Sequence, residues 1–206
     1  LIIQHDWYMH NGDLAFLQKH GDYIKGLINQ IDERIAEDGT ENLGGGRFLD
    51  WPSSSNETGV EAGYRALPVW SMQAASKLCR ILGDESQALT CEDIIRRLNK
   101  KVLPHNDLKQ AAALMAIAGT MDVHEACQDN LLVGGPKGFS TFYGYYMLQA
   151  LAKGGYYEEA MGIISQFWGG MLDLGATTFW EDFNLEWTEN VGRIDEFVPE
   201  GKKDIH

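Results

Sequence analysis

The chain has 206 residues, with 17 Lys+Arg against 30 Asp+Glu for a formal charge of −13, and 44% of it is apolar. That length suffices for one domain, or two small ones, with a buried core. The acidic balance argues against a nucleic-acid partner, whose phosphates need clustered Lys and Arg, and against docking on an anionic membrane. No apolar run approaches the roughly 20 residues that span a bilayer.

The chain opens on Leu1-Ile2-Ile3 without an initiator Met and stops at Ile205-His206. These ends suit a segment of a longer chain, and localisation is not legible from them. Leu14, Leu17, Ile24, Leu27, Ile28, Ile31 and Ile35 recur at helical spacing and predict a helix over 13–36. Tyr64, Leu67, Trp70, Ala74, Leu78 and Ile81 predict another over 58–82, and Leu89, Ile94, Ile95, Leu98 and Val102 one over 84–103, which Pro104 stops. Shorter helices are expected at about 107–118, 122–132, 141–153 and 156–169. No stretch alternates with period two, so the expected class is all-α. Cys79 and Cys91 fall within helical patterns and read as small buried hydrophobes. With Cys127 they stand in no metal-ligand spacing and are too few for a disulfide scaffold.

The helices are joined by recurrent punctuation: Asn11-Gly12-Asp13, Leu82-Gly83-Asp84, Gly154-Gly155-Tyr156, and Gly119-Thr120-Met121-Asp122. Each sets a glycine after one helix and an acid or polar group near the start of the next. Helical hairpins repeating in this way imply a solenoid or a closed toroid. Two long connections, about 37–57 and 170–206, break the rhythm. Connections of that length are functional or disordered, and their Trp and Phe content disfavours disorder.

A tryptophan beside a carboxylate suits sugar, because the indole face stacks on a pyranose while the carboxylate accepts bonds from hydroxyls. Asp50-Trp51 and Trp180-Glu181 are two such pairs. Glycosidic cleavage also needs two carboxyl groups, one as acid and one as base or nucleophile. The competing reading makes these tryptophans core anchors and the acids solvated or capping groups. His5, His10, His20 and His124 have no partner at metal-ligand spacing. Gly44-Gly45-Gly46 lacks the Lys and Ser/Thr of a phosphate loop, and Ser53-Ser54-Ser55 has no nucleophile-elbow context. The aromatic run Phe142-Tyr143-Gly144-Tyr145-Tyr146 reads first as core, with Phe142 and Tyr143 placed to reach a cavity from the helix end.

Gly175-Ala176-Thr177-Thr178-Phe179-Trp180-Glu181-Asp182-Phe183 resembles the Gly-Ala-Thr-Thr-x-Trp-Glu signature of bacterial α-L-rhamnosidases, glycoside hydrolases of family 78 with a six-hairpin (α/α)6 barrel. Phe48-Leu49-Asp50-Trp51 resembles the family's Gly-Asp-Trp loop. Trp7-Tyr8 through Gly12-Asp13 resembles its inter-hairpin turn, and Ser140-Thr141-Phe142-Tyr143-Gly144 stands where the family has the helix after its Thr-Gly segment. The resemblance implies one helical-hairpin catalytic domain over 1–206, an incomplete toroid of about eight of twelve helices. It implies removal of terminal α-L-rhamnose from a glycan or glycoside by inversion, with Glu181 as general base. Trp180 would shape the wall beside it, Asp50 and Trp51 would bind or flank the rhamnose, and His206 would touch the sugar. The two carboxyl groups of an inverting pair stand roughly 6.5–9.5 Å apart. No metal or organic cofactor is implied, since carboxylates alone move the protons.

The chain departs from the family in two places. The Asp-Cys-Pro-x-Arg-x-Glu segment that carries the family's general acid is missing and is expected upstream of Leu1, so the fragment alone is not expected to turn over substrate. Asp182-Phe183 also replaces the Arg-Trp that follows the family's glutamate. Fucosidases, glucuronyl hydrolases and trehalases on the same toroid are near alternatives, because one fold hosts many specificities. A non-catalytic hairpin solenoid that binds a protein or peptide is the alternative of another class.

Overall fold

The computed structural model describes residues 1–204. Among them every regular element is helical, and strand-like pairing is limited to the isolated bridges Ile35–Glu41 and Val191–Lys203. The chain divides into two compact units, Leu1–Arg47 with Tyr64–Pro104, and Phe48–Gly63 with His105–His206.

In the first unit, α1 (Ile2–Asn11), α2 (Leu14–Lys19) and α3 (Gly21–Asp32) precede most of α4 (Glu57–Ile81) and α5 (Glu85–Leu98). The apolar spacing predicts no helix over 2–11. That segment forms a helix none of whose side chains is buried, so no apolar stripe advertised it. The helix expected over 13–36 is interrupted at His20 and ends by Asp32. Ile24 and Ile28 on α3, Leu78 on α4, and Ile94 on α5 are fully buried, the stripe that the spacing predicted. Cys79 and Cys91 are buried as expected. Asp13 and Asp84 accept from the backbone N–H of Phe16 and Gln87 at 2.9 and 3.1 Å, which satisfies orphan donors at the starts of α2 and α5. Asp84 also pairs with Lys25 at 2.6 Å, and that ammonium with the Gln87 N–H holds its carboxyl below the usual range. Buried Arg65 donates to the carbonyls of Lys101, Gly39 and Leu98 at 2.6, 2.8 and 2.6 Å, so it closes the end of α5 and pins the turn at Gly39.

In the second unit, α6 (Lys109–Ala118) is buried at every residue. A helix with no polar face has to be central, and its alanines let α8 (Gly144–Lys153) pack along it. Its last carbonyls are not orphaned, because Lys153 Nζ on α8 donates to Ala116 and Ile117 at 2.8 and 3.0 Å. Between these helices lies α7 (Val123–Ala126), started by Asp122 and prolonged by one π-type turn over Cys127–Leu131. The last long helix, α9 (Tyr157–Asp173), packs on α8 and runs four residues beyond the expected 169. The chain then folds back on itself, with Ile194 N–H donating to Leu174 at 2.8 Å and Gly192 N–H to Lys203 at 2.9 Å.

Candidate functional site

The second long connection starts at Gly175, whose φ of +90° favours glycine. A Cβ there would also fall 2.4 Å from Asp195 Oδ1. Asp195 is gripped by Arg193 at 2.9 and 2.8 Å, and the guanidinium keeps its carboxyl below the usual range. Arg193 donates in turn to the Asp173 carbonyl at the end of α9 at 3.0 Å. The glycine of the Gly-Ala-Thr-Thr string is therefore fixed by a contact 20 residues along the chain.

Beyond it, four aromatic rings stand in a row. Trp180 packs on Phe183 at 5.5 Å, Phe183 on Phe167 at 5.3 Å, and Phe167 on Trp168 at 5.0 Å between centroids, all edge to face. Trp180 and Trp168 line one cavity, and Phe183 and Phe167 line another.

The first cavity has a volume of about 730 Å³ and is walled by Phe142, Tyr145, Tyr146, Trp168, Phe179 and Trp180. Glu181 is the one carboxylate among its described lining residues. Thr141 also lines it, and its Oγ1 is buried without a hydrogen-bond partner. Trp168 reaches its place because residue 144 is glycine: a Cβ there would lie 2.7 Å from the indole Cη2. Burial holds the Tyr146 phenol above its usual pKa, so it stays protonated at neutral pH.

The second cavity, of about 580 Å³, is lined by Trp51, Pro52, the 134–139 loop, Gln166, and Asp182 through Trp187. Its floor is tied to the start of α6. Lys109 Nζ donates to the Gly135 carbonyl at 2.7 Å and lies 5.2 Å from the centre of Phe139. Gln110 Nε2 donates to Asp50 Oδ2 at 3.3 Å and to the Gly138 carbonyl at 3.5 Å. Asp50 Oδ1 accepts from Trp51 N–H at 3.0 Å, while Ser53 Oγ donates to the Asp50 carbonyl at 2.7 Å. Trp51 thus sits at the head of a capped one-turn 3-10 helix, Trp51–Ser53.

The expected residues separate accordingly. Trp180 and Glu181 share the first cavity, Trp51 lines the second, and Asp50 is buried beneath the turn that presents Trp51. His206 lies outside the described residues. Of the aromatic run, Phe142 and Tyr145 face the cavity while Tyr143 is buried. Sequence reasoning missed Thr141, Trp168 and the polar floor. Only the helical spacing of Phe142, Tyr145 and Tyr146, at i, i+3 and i+4, signalled a shared face. No group of three His, Cys, Asp or Glu among the described residues is placed to hold a metal, and no helix there is long and apolar enough to cross a membrane.

No family model, no curated protein and no solved structure matches the chain.

Proposed function

We propose that the chain is part of a glycoside hydrolase of the α-L-rhamnosidase type, an (α/α)6 toroid that releases terminal α-L-rhamnose with inversion. The observation that supports it is Glu181 lining an aromatic cavity together with Trp180 and Thr141. Ligand sites combine such apolar walls with a few convergent polar groups. In this reading the indoles and phenols pack on the sugar ring. The Glu181 carboxylate takes a proton from a water as its oxygen attacks the anomeric carbon, and the glycosidic oxygen departs with a proton from a second carboxyl group. That acid is the partner carboxyl that the family resemblance implies. The water approaches opposite the leaving group, so the sugar leaves as the β-anomer.

The test uses the full polypeptide with an aryl α-L-rhamnoside. Glu181→Gln keeps the size of the side chain but not its basicity, and lowers kcat by about a thousandfold, within the range for loss of a general base. Circular dichroism should be unchanged, and NMR of the first product should show β-rhamnose. A rate equal to wild type removes Glu181 as the base.

A further inference from the structure

We propose that the second cavity is a separate saccharide-binding site, which takes a neutral pyranose ring of an oligosaccharide between Trp51 and Trp187. This inference stands on its own residues and does not need Glu181 to be a base.

Both indoles are left in the open, Trp51 at 62% and Trp187 at 47% exposure, on the same cavity. Large exposed rings on one cavity mark a binding surface. Each is presented by the same local device. Asp50 caps the 3-10 turn that begins at Trp51, and Asn184 Oδ1 accepts from Glu186 N–H at 2.9 Å to start the 3-10 turn Leu185–Thr188 that carries Trp187. Thr188 Oγ1 closes that second turn on the Leu185 carbonyl at 2.7 Å. Lys109 and Gln110, both nine-tenths buried or more, tie down the loop between the indoles. Buried polar groups that support a surface from below fix its geometry.

The polar groups select the ligand. Asp182, Glu186 and Gln166 line the cavity with acceptor oxygens. The single lining lysine, Lys137, is paired with Glu186 at 3.3 Å. With Lys137 and Glu186 paired, the charge of Asp182 is left over, which disfavours phosphates and acidic sugars. A proline-rich peptide would suit the rings, yet its backbone offers mostly carbonyl acceptors. A pyranose offers hydroxyl donors to the carboxylates and C–H faces to the indoles, so it satisfies both kinds of wall.

The experiment titrates the 206-residue chain with a rhamnosyl-glucose disaccharide, by ligand-observed NMR. Trp51→Ala and Trp187→Ala should each weaken binding by about tenfold, the loss usual for an aromatic anchor. Thermal midpoints should stay near wild type, because both rings are exposed. Asp182→Asn, which disturbs no packing, should weaken binding severalfold and guards against a folding defect in the Trp variants. Trp180→Ala separates the two cavities. If it alone abolishes binding, the second site is overturned while the hydrolase reading keeps its cavity. If the Trp51 and Trp187 variants abolish binding and Trp180→Ala does not, the second site stands, and the hydrolase reading is left to the Glu181→Gln rate. Saturation by a proline-rich peptide without any response to the disaccharide also overturns the proposal.

Discussion

Lys109 shows what one residue carries that periodicity hides. In the sequence it is a lysine ahead of an alanine run, the pattern of a solvated helix start. In the structure it is 8% exposed, donating to Gly135 and lying over Phe139. Burial pushes its pKa down from 10.5 to about 8. Below about pH 8 the ammonium exists folded and unfolded, and the folded state bears the desolvation cost. Between about 8 and 10.5 the folded lysine gives up its proton first, the unfolded chain binds more protons, and stability rises with pH. Urea midpoints measured from about pH 7 to 10 should therefore fall less, or climb more, in wild type than in Lys109→Met. Parallel profiles would contradict the shifted titration. That Trp180 and Glu181 fall on one cavity was legible from their adjacency in the sequence. Thr141 was not, because its lack of a partner is set by residues remote in sequence.

At the scale of the element, α3, α4, α5 and α9 were legible because one face is apolar and the spacing of that face is helical. The Gly-Asp punctuation at 12–13 and 83–84 became a left-handed glycine followed by a capping aspartate, since only local chemistry decides such turns. What stayed hidden was α1, which buries nothing, and the π-type turn that extends α7. Helix-to-helix contact is also set at this scale. Gly144 on α8 admits the Trp168 indole of α9, with Cη2 and Cζ2 at 2.7 and 2.8 Å from where a Cβ would stand. The rigid ring has to shift if one is added, so Gly144→Ala should cost about 1–3 kcal/mol, as overpacking does. Denaturant unfolding with near-ultraviolet circular dichroism checks it, and unchanged stability with an unchanged tryptophan signal would mean that the ring is not pressed there.

For the whole molecule, the charge of −13 sets long-range behaviour independently of the fold. The chain should pass through immobilised duplex DNA or heparin without retention even at about 10 mM salt, where phosphate attraction is strongest. Retention would overturn the exclusion of polyanions. The all-α class was legible at this scale, because no segment alternates and the chain forms no strand among the described residues. The separation of Trp51 from Trp180 was not. Two Trp-acid pairs in one sequence look equivalent, and only the folded chain sets Trp180 and Trp51 on different cavities.

The capped turns under Trp51 and Trp187 have a thermodynamic consequence. Each turn is only three or four residues long, and fixing one residue's backbone costs about 1–2 kcal/mol of conformational entropy. Here that ordering is complete once the chain has folded, so a visitor finds the two rings already aimed. A ligand of this surface should then bind without the entropy loss of freezing those two turns.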